Sequence, residues 1–310
     1  MTELRLSIIT PCFNESSNIL DCVEQVKNSV DNFSQTMGFE HIFIDNASTD
    51  SSDEILQDIA QKYSHVRILK NSQNVGVFSS IQRAISYAEG EWLIPFFAAD
   101  LQDPPEVITE MLKVQFTSGC DSVFGIRATR IESNFLLTMR KIFYKFLKVA
   151  SSNDFVEGTS EFCLIKKEIA IAVTEIDDPN PFLRIYLSKL RGKVEYVKFQ
   201  MNKRVKGKSS ANLFTLTDDA LNAFSIIMPS IFSRVLVFLF PISLFLAALF
   251  LISVPLVITN IWSPFYSYSF AVGFILVIIM ALQCLVGHYL FILHKHMRRP
   301  PMANTNEVFK

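Results

Sequence analysis

Along the first 105 residues, short apolar runs alternate with longer stretches in which apolar residues recur at helical spacing. The apolar runs predict buried strands at residues 6–10, 41–44 and 66–69, and from Trp92 onward. The helical spacing predicts helices at residues 16–30, 53–63 and 78–88. Four alternations of strand and helix predict an α/β fold with a doubly wound, mostly parallel sheet and helices on both faces.

A polar side chain follows each of these four strands. The four residues are Glu15, Asp45, Asn71 and Asp100. The carboxyl ends of parallel strands meet at one edge of a sheet, and open α/β proteins bind their ligands there. A dinucleotide site of the Rossmann type needs a Gly-x-Gly-x-x-Gly loop after the first strand, but residues 10–18 contain no glycine. The pattern therefore predicts a nucleotide pocket of a different kind.

The stretch 92–105 reads Trp-Leu-Ile-Pro-Phe-Phe-Ala-Ala-Asp-Leu-Gln-Asp-Pro-Pro. Asp100, Gln102 and Asp103 place three oxygen-bearing side chains within four positions, directly after an apolar run. Such oxygens suit a hard cation such as Mg²⁺ or Mn²⁺, which in turn suits a diphosphate. Pro104 and Pro105 interrupt the strand and can begin a helix. An acidic turn between strand and helix is the alternative interpretation.

Residues 11–15, 45–50 and 99–105 resemble the inverting glycosyltransferases of GT-A fold, and more narrowly the polyprenyl-phosphate glycosyltransferases. The resemblance covers about residues 4–230. It implies a Rossmann-like GT-A sheet that transfers a monosaccharide from a nucleotide sugar to a polyprenyl phosphate, such as undecaprenyl phosphate, for modification of cell-envelope glycans. It also implies association into homo-oligomers through the membrane part.

The resemblance assigns roles to individual residues. Mg²⁺ or Mn²⁺ would be held by Asp100 and Gln102. The lipid phosphate would be bound by Arg127, at the end of a fifth predicted strand (122–127), and by Arg130. A general base, if one is used, would be Asp103 or Glu161. The implied donor-binding residues are Pro11, Phe13, Glu15, Asp45, Ala99, Asp100 and Arg204.

The chain departs from the family pattern at several positions. Ala98 stands where members commonly carry an aspartate, and Glu161-Phe162-Cys163-Leu164 stands where they carry roughly Asp-Phe-Arg-Leu. Arg204 follows a strand predicted at 194–199, in a basic run that the resemblance implies closes over the donor. Ser210 replaces the family's lysine there, and Lys208 is the candidate substitute. A solvated basic loop is the alternative for this run.

Two features predict a membrane part. Half of the residues are hydrophobic and only 19% are charged. Residues 235–258 and 268–293 contain no Asp, Glu, Lys or Arg, and each stretch is long enough to cross a bilayer. Residues 134–150 combine an apolar face with cations, which predicts an interfacial helix on an anionic membrane, or alternatively a solvated basic face.

The distribution of basic residues predicts the orientation of the chain. Arg234 precedes the first apolar stretch and residues 294–299 are basic, whereas the connector 259–267 contains no Lys or Arg. Both termini of a protein with two spans are therefore expected in the cytoplasm, and the resemblance implies that the membrane is a bacterial inner membrane. We predict a catalytic domain at 1–215 and a membrane part at 216–310. A buried helical hairpin in a soluble protein is the alternative.

Charge and cysteine content exclude other classes. The net charge of −1 gives no overall attraction to nucleic acid, and five scattered cysteines favour neither a disulfide framework nor a zinc site. Two other functions stay open. The same donor site could serve a hydroxyl acceptor on a glycolipid or polysaccharide, or the fold could be a membrane scaffold without catalysis.

Overall fold

The computed structural model describes residues 4–33, 38–128, 158–174, 192–202, 213–297 and 308–309. These residues form two compact units, a sheet with its flanking helices and a pair of long helices.

The first part of the sheet unit alternates strand and helix as predicted. Its elements are β1 (Leu4–Cys12), α1 (Ile19–Phe33), β2 (Gly38–Asp45), α2 (Ser52–Lys62), β3 (Val66–Lys70), α3 (Val77–Tyr87), β4 (Trp92–Ile94) and α4 (Glu106–Ser118). Strands β1 to β4 are mutually parallel. The apolar run after Trp92 continues to Ala99, but the strand ends at Ile94 because Pro95 has no N–H to offer the ladder.

The second part departs from simple alternation. Its elements are β5 (Ser122–Arg127), β6 (Thr159–Lys166), α5 (Lys167–Thr174), β7 (Val194–Phe199) and β8 (Val308–Phe309). The strand order is β7-β5-β6-β4-β1-β2-β3-β8, and among these strands β6 and β8 are antiparallel to their neighbours. The mostly parallel sheet is confirmed, and β5 and β7 have the predicted bounds. Strands β6 and β8 were not predicted.

The core of the sheet unit has two layers, one on each face of the sheet. Successive residues of a strand point to opposite faces. Ile8 packs with α1, α2 and α4, whereas Ile9 packs with α3 and α5. The sheet is therefore doubly wound, with helices covering both of its faces.

The second unit contains α6 (Leu213–Ile258) and α7 (Pro264–Met297). Two stretches, Val235–Ile258 and Pro264–Leu290, are long and apolar enough to cross a membrane, and neither is buried in the protein. The first has its predicted bounds. The second begins four residues before the predicted 268, because Ser263 accepts a hydrogen bond from the Phe265 N–H and Pro264 takes the first helical position. These exposed apolar helices indicate membrane association.

Candidate active site

One edge of the sheet collects the predicted site residues. The carboxyl ends of the parallel strands lie there together with the amino end of β6, which runs in the opposite direction. The described residues at this edge are Pro11, Phe13, Glu15, Asp45, Ala99, Asp100, Gln102, Asp103, Arg127 and Glu161. Arg130, Arg204 and the predicted basic stretches 134–150 and 203–208 lie outside the described residues.

The loops after β1 and β2 interlock. The Asn14 N–H donates to Ser48 Oγ over 3.0 Å, and Asn14 Oδ1 accepts from the Thr49 N–H over 2.8 Å. The Glu15 N–H donates to Ser52 Oγ, also over 3.0 Å. Asn14 has a φ of 59°, a left-handed conformation that asparagine adopts more readily than most residues. These bonds place Glu15 and its neighbours beside the end of β2.

Asp45, at the end of β2, and Phe13, just after β1, differ in their exposure to solvent. Asp45 is fully buried, and its carboxylate accepts hydrogen bonds from the backbone N–H and the hydroxyl of Ser48. The Phe13 ring is 46% exposed. The exposed Phe13 side chain is an apolar surface of the kind that small-molecule sites use, whereas the Asp45 carboxylate is covered by the loop that follows β2. That the base lies against Pro11, Phe13, Glu15 and Asp45 stays a prediction.

A network of amides, which the sequence reasoning missed, lies beside these loops. Asn46 Oδ1 accepts from Asn71 Nδ2 over 3.0 Å, and Asn46 Nδ2 donates to Asn74 Oδ1 over 2.8 Å. Asn71 Nδ2 also donates to Ser80 Oγ, and Arg83 Nη1 donates to Asn71 Oδ1 over 2.6 Å. The sequence indicated Asn71 as a strand end, and the asparagine-rich stretch 71–74 was the available signal. The contribution of Arg83 had no sequence signal.

The loop after β4 is held by a segment distant in the sequence. The Gln102 N–H donates to Asp100 Oδ1 over 3.2 Å, and Leu101 between them has a φ of 56°. Asn202, which follows β7, donates its N–H to the Gln102 carbonyl over 2.9 Å and its side-chain amide to the Leu101 carbonyl. Asp100 is 8% exposed. The two predicted metal ligands thus belong to one short turn that β7 anchors.

This turn fits a divalent cation only in part. Asp100 and Gln102 supply a carboxylate and an amide oxygen, the donor types that Mg²⁺ and Mn²⁺ prefer. No group of three or more His, Cys, Asp or Glu residues that could hold an ion occurs in the part of the chain that the structure describes. A cation held here would therefore depend on donor phosphates to complete its coordination, as Mg²⁺ commonly does.

Asp103 and Arg127 form a bidentate ion pair. Arg127 Nε and Nη2 donate to the two carboxylate oxygens of Asp103 over 3.2 Å and 3.0 Å. The side chain of Asp103 is 1% exposed and that of Arg127 is 21% exposed. The structure thus brings together the predicted base and the predicted phosphate ligand. The role of each in the reaction stays a prediction.

Glu161 lies in an irregular part of β6. The register of β5 with β6 pairs Phe124 with Cys163 and then Ile126 with Thr159, so three residues of β6 face Gly125 alone. Such bulges redirect side chains and are frequent near active sites. A Cβ on Gly125 would lie 2.9 Å from the Phe162 carbonyl oxygen, so glycine is what permits this close approach.

The cysteines near the edge are unsuited to nucleophilic chemistry. Cys12 and Cys163 are fully buried, and burial raises the pKa of both thiols well above the usual range. Nearby carboxylates, Glu15 for Cys12 and Glu161 for Cys163, raise the pKa further. A thiolate is the reactive form, so neither cysteine is a credible nucleophile at neutral pH.

The mostly parallel sheet, with an acidic turn after β4 and polar residues at its strand ends, is typical of a GT-A glycosyltransferase fold. Residues 7–174, more than half of the chain, match the model of "Glycosyl transferase family 2". The chain belongs to this glycosyltransferase family.

Two curated relatives are similar to this chain in sequence, and one solved structure is similar to it in fold. The chain is 27% identical over 226 residues to "Uncharacterized glycosyltransferase YkcC" of Bacillus subtilis (strain 168), covering 72% of this chain and 69% of the relative. It is 25% identical over 228 residues to "Bactoprenol glucosyl transferase" of Shigella phage SfV, covering 72% of each.

The solved structure is glucosyl-3-phosphoglycerate synthase from Mycobacterium tuberculosis in complex with Mn²⁺, UDP and glucosyl-3-phosphoglycerate. It is similar with a TM-score of 0.47 at 17% identity, over 74% of this chain and 80% of that one.

Proposed function

We propose that this glycosyltransferase moves a monosaccharide from a nucleotide sugar to a polyprenyl phosphate, with inversion at the anomeric carbon. The observation that supports this acceptor most strongly is the pair of exposed apolar helices that accompanies a family 2 sheet. A polyprenyl phosphate keeps its phosphate at the headgroup level of a membrane, so a membrane-associated enzyme can reach it. The relative named bactoprenol glucosyl transferase supports the same acceptor class.

The donor occupies the part of the edge formed by β1, β2 and β4. Its base lies against Pro11, Phe13, Glu15 and Asp45, and its diphosphate lies beside Ala99 and Asp100. A divalent cation held by Asp100 and Gln102 would neutralise charge on the leaving nucleoside diphosphate. Arg204 adds a cation from the chain after β7.

The chemistry requires little from the protein beyond placement and charge. A phosphate monoester has a second pKa near 6, so it is largely dianionic at neutral pH and a competent nucleophile. Its oxygen attacks the anomeric carbon, the bond to the diphosphate breaks, and the nucleoside diphosphate leaves with the electron pair. No proton moves. Arg127 and Arg130 oppose the repulsion between the two anions.

The two helices cross the bilayer once each, as an inner-membrane hairpin with both flanks in the cytoplasm. The connectivity of the chain supports this topology. Strand β7 precedes the helices and β8 follows them, and both belong to one sheet. A chain that crosses a membrane twice returns to its starting side. The basic residues at 294–299 and their absence from the connector indicate that this side is the cytoplasm.

The test is transfer by the purified protein in nanodiscs. Several radiolabelled nucleotide sugars would be offered with undecaprenyl phosphate, with Mg²⁺ or Mn²⁺ and with EDTA. We expect metal-dependent label in a phosphate-linked lipid that mild acid releases, and an anomeric configuration opposite to that of the donor. Asp58→Asn, which removes an exposed carboxylate of α2, is the matched control for variants of the site.

Two results would contradict the proposal. Label found only in a glycolipid or polysaccharide linked through a hydroxyl would indicate a different acceptor. No label with any donor and metal would indicate a protein that keeps the fold without the activity.

A further inference from the structure

We propose that Asp103 is a positioning residue, which holds the Arg127 guanidinium for the phosphate of the acceptor and does not remove a proton. This inference rests on the proposed function, because it assigns the phosphate of the lipid to Arg127. It gives the carboxylate of the acidic turn a role that neither the family match nor the relatives assign.

The geometry of the Asp103–Arg127 ion pair is the first observation that supports this role. Both carboxylate oxygens of Asp103 accept from one guanidinium, through Nε at 3.2 Å and Nη2 at 3.0 Å. An arginine has five N–H donors, so this contact engages two of them. A paired guanidinium keeps its full charge and a fixed plane, and its other donors suit the oxygens of a second anion.

Burial differs between the partners in the direction that this role requires. The Asp103 side chain is 1% exposed, whereas that of Arg127 is 21% exposed. A group that meets a substrate needs a surface, and Arg127 has one. Asp103 is almost fully buried, and both of its carboxylate oxygens accept hydrogen bonds from the Arg127 guanidinium.

Backbone hydrogen bonds fix both partners. The turn before Asp103 is held by the bond from the Asn202 N–H to the Gln102 carbonyl at 2.9 Å. The Arg127 N–H donates to the Gly158 carbonyl at 3.2 Å, and the next residue, Ala128, donates to the Phe199 carbonyl at 2.8 Å. The pair therefore connects two anchored segments, the candidate metal turn and the tip of β5. An arginine that the protein already holds in position loses less side-chain conformational entropy when the anion binds.

The test separates positioning from proton removal by its effect on KM and kcat. We expect Asp103→Asn to raise the KM for undecaprenyl phosphate about tenfold, the size of one charge-assisted hydrogen bond, with kcat nearly unchanged. Arg127→Lys, which keeps the charge but loses the planar fork, is expected to raise the same KM. Donor affinity, measured by direct binding of the nucleotide sugar, should change less than about twofold in either variant.

A control exists at the other end of the same strand. Asp121, just before β5, pairs with Lys166, and both side chains are about one-third exposed. Asp121→Asn removes an ion pair from the same strand away from the site edge, and we expect its KM and kcat to match the wild type. An equal change in this control and in Asp103→Asn would overturn the inference.

The double variant Asp103→Asn/Arg127→Gln keeps the inference testable even if Asp103→Asn does not fold, because it removes both charges of the ion pair together. We expect its KM and kcat to equal those of Arg127→Gln, since Asp103 acts only through Arg127. A loss of kcat of about 10² or more at saturating lipid phosphate, in Asp103→Asn relative to the wild type or in the double variant relative to Arg127→Gln, would identify a general base and overturn the inference.

The wild-type measurement separates failure of this inference from failure of the proposed function. Wild-type protein that makes no lipid-phosphate product overturns both. Wild-type protein that makes the product, with Asp103→Asn reduced in kcat and unchanged in KM, overturns the positioning role alone.

Discussion

The two halves of the sheet reach the same edge by different means. From β1 to β4 the chain repeats a strand and a helix, and each repeat places a polar loop at the carboxyl end of its strand. From β5 to β7 the order changes, because β6 is inserted antiparallel between β4 and β5 and carries a bulge opposite Gly125. The first half builds its surface mainly from the loops of neighbouring repeats, although Asn202 also holds the loop after β4. The second half builds it from contacts between segments far apart in the sequence.

This difference corresponds to the two substrates of the proposed reaction. The predicted donor residues up to Asp100 belong to the regular half, where loop interlocking is local to neighbouring repeats. Arg127, the proposed ligand of the lipid phosphate, and Glu161, the candidate base, belong to the irregular half. We therefore expect substitutions in the regular half to affect mainly the nucleotide sugar, and substitutions in the irregular half to affect mainly the lipid phosphate.

The largest effect is expected from Asp100→Asn in the regular half. It removes the carboxylate proposed to hold the cation, and we expect transfer to fall by about 10³-fold or more. Nucleotide-sugar binding in the presence of Mn²⁺ should weaken, while binding of the lipid phosphate should not. Radiolabel transfer and isothermal titration measure these quantities, with Asp58→Asn as the control. Sugar transfer by Asp100→Asn at the wild-type rate would contradict the assignment of the donor site to the regular half.

The next effect is expected from Gly125→Ala in the irregular half. The added Cβ would lie 2.7 Å from Phe199 Cε1 and 2.9 Å from the Phe162 carbonyl oxygen, so the bulge must shift. We expect a loss of about 1–3 kcal/mol in the free energy of unfolding, together with a raised KM for the acceptor.

Gly273→Ala in α7 is the matched control for Gly125→Ala, because its Cβ would meet Leu246 at an ordinary 3.6 Å. Thermal unfolding in detergent measures both variants. An unchanged melting temperature in Gly125→Ala would show that the bulge tolerates a side chain.

We also expect a buried histidine of the regular half, His41, to lower the free energy of unfolding in acid. His41 in β2 is fully buried, with Nε2 bonded to the Thr10 hydroxyl over 2.8 Å, and burial lowers its pKa to about 3, with a smaller contribution from His65. The unfolded chain binds a proton near pH 6.5 that the folded protein does not take up until about pH 3. Stability is therefore fully present above pH 6.5 and falls between these values, by about 2 kcal/mol at pH 5.

The measurement is the free energy of unfolding against pH for the wild type and for His41→Gln. The slope between pH 6.5 and 4 should be smaller in the variant, whatever its stability at neutral pH. Equal slopes would exclude His41 as the group responsible.

The smallest effect is expected from Glu161→Gln. A phosphate acceptor needs no base, so kcat should fall less than about tenfold. Glu168→Gln, an exposed residue at the start of α5, is the control. A loss of 10² or more in Glu161→Gln alone would indicate a base and would favour a hydroxyl acceptor.

Local pattern was sufficient for the regular half and for the long helices. Strand and helix periodicity depends on nearest neighbours along the chain, so β1 to β4, the strands β5 and β7, and the stretch 235–258 were all predictable. The acidic turn at Asp100 was predictable too, since its residues are adjacent in the sequence. Even here Pro95 ended β4 earlier than the apolar run suggested, because hydrogen bonding and not hydrophobicity decides where a ladder stops.

The amino-acid sequence by itself determined the class of fold, the edge that collects the predicted site residues and the two apolar helices, because each follows from periodicity or from residues a few positions apart. Tertiary structure decided the rest. The Asp103–Arg127 pair joins residues 24 positions apart, the asparagine network spans two strand ends, and the bulge that holds Glu161 exists only once β6 pairs with β5. Such contacts depend on which strands become neighbours, and that order is set by packing of the whole sheet.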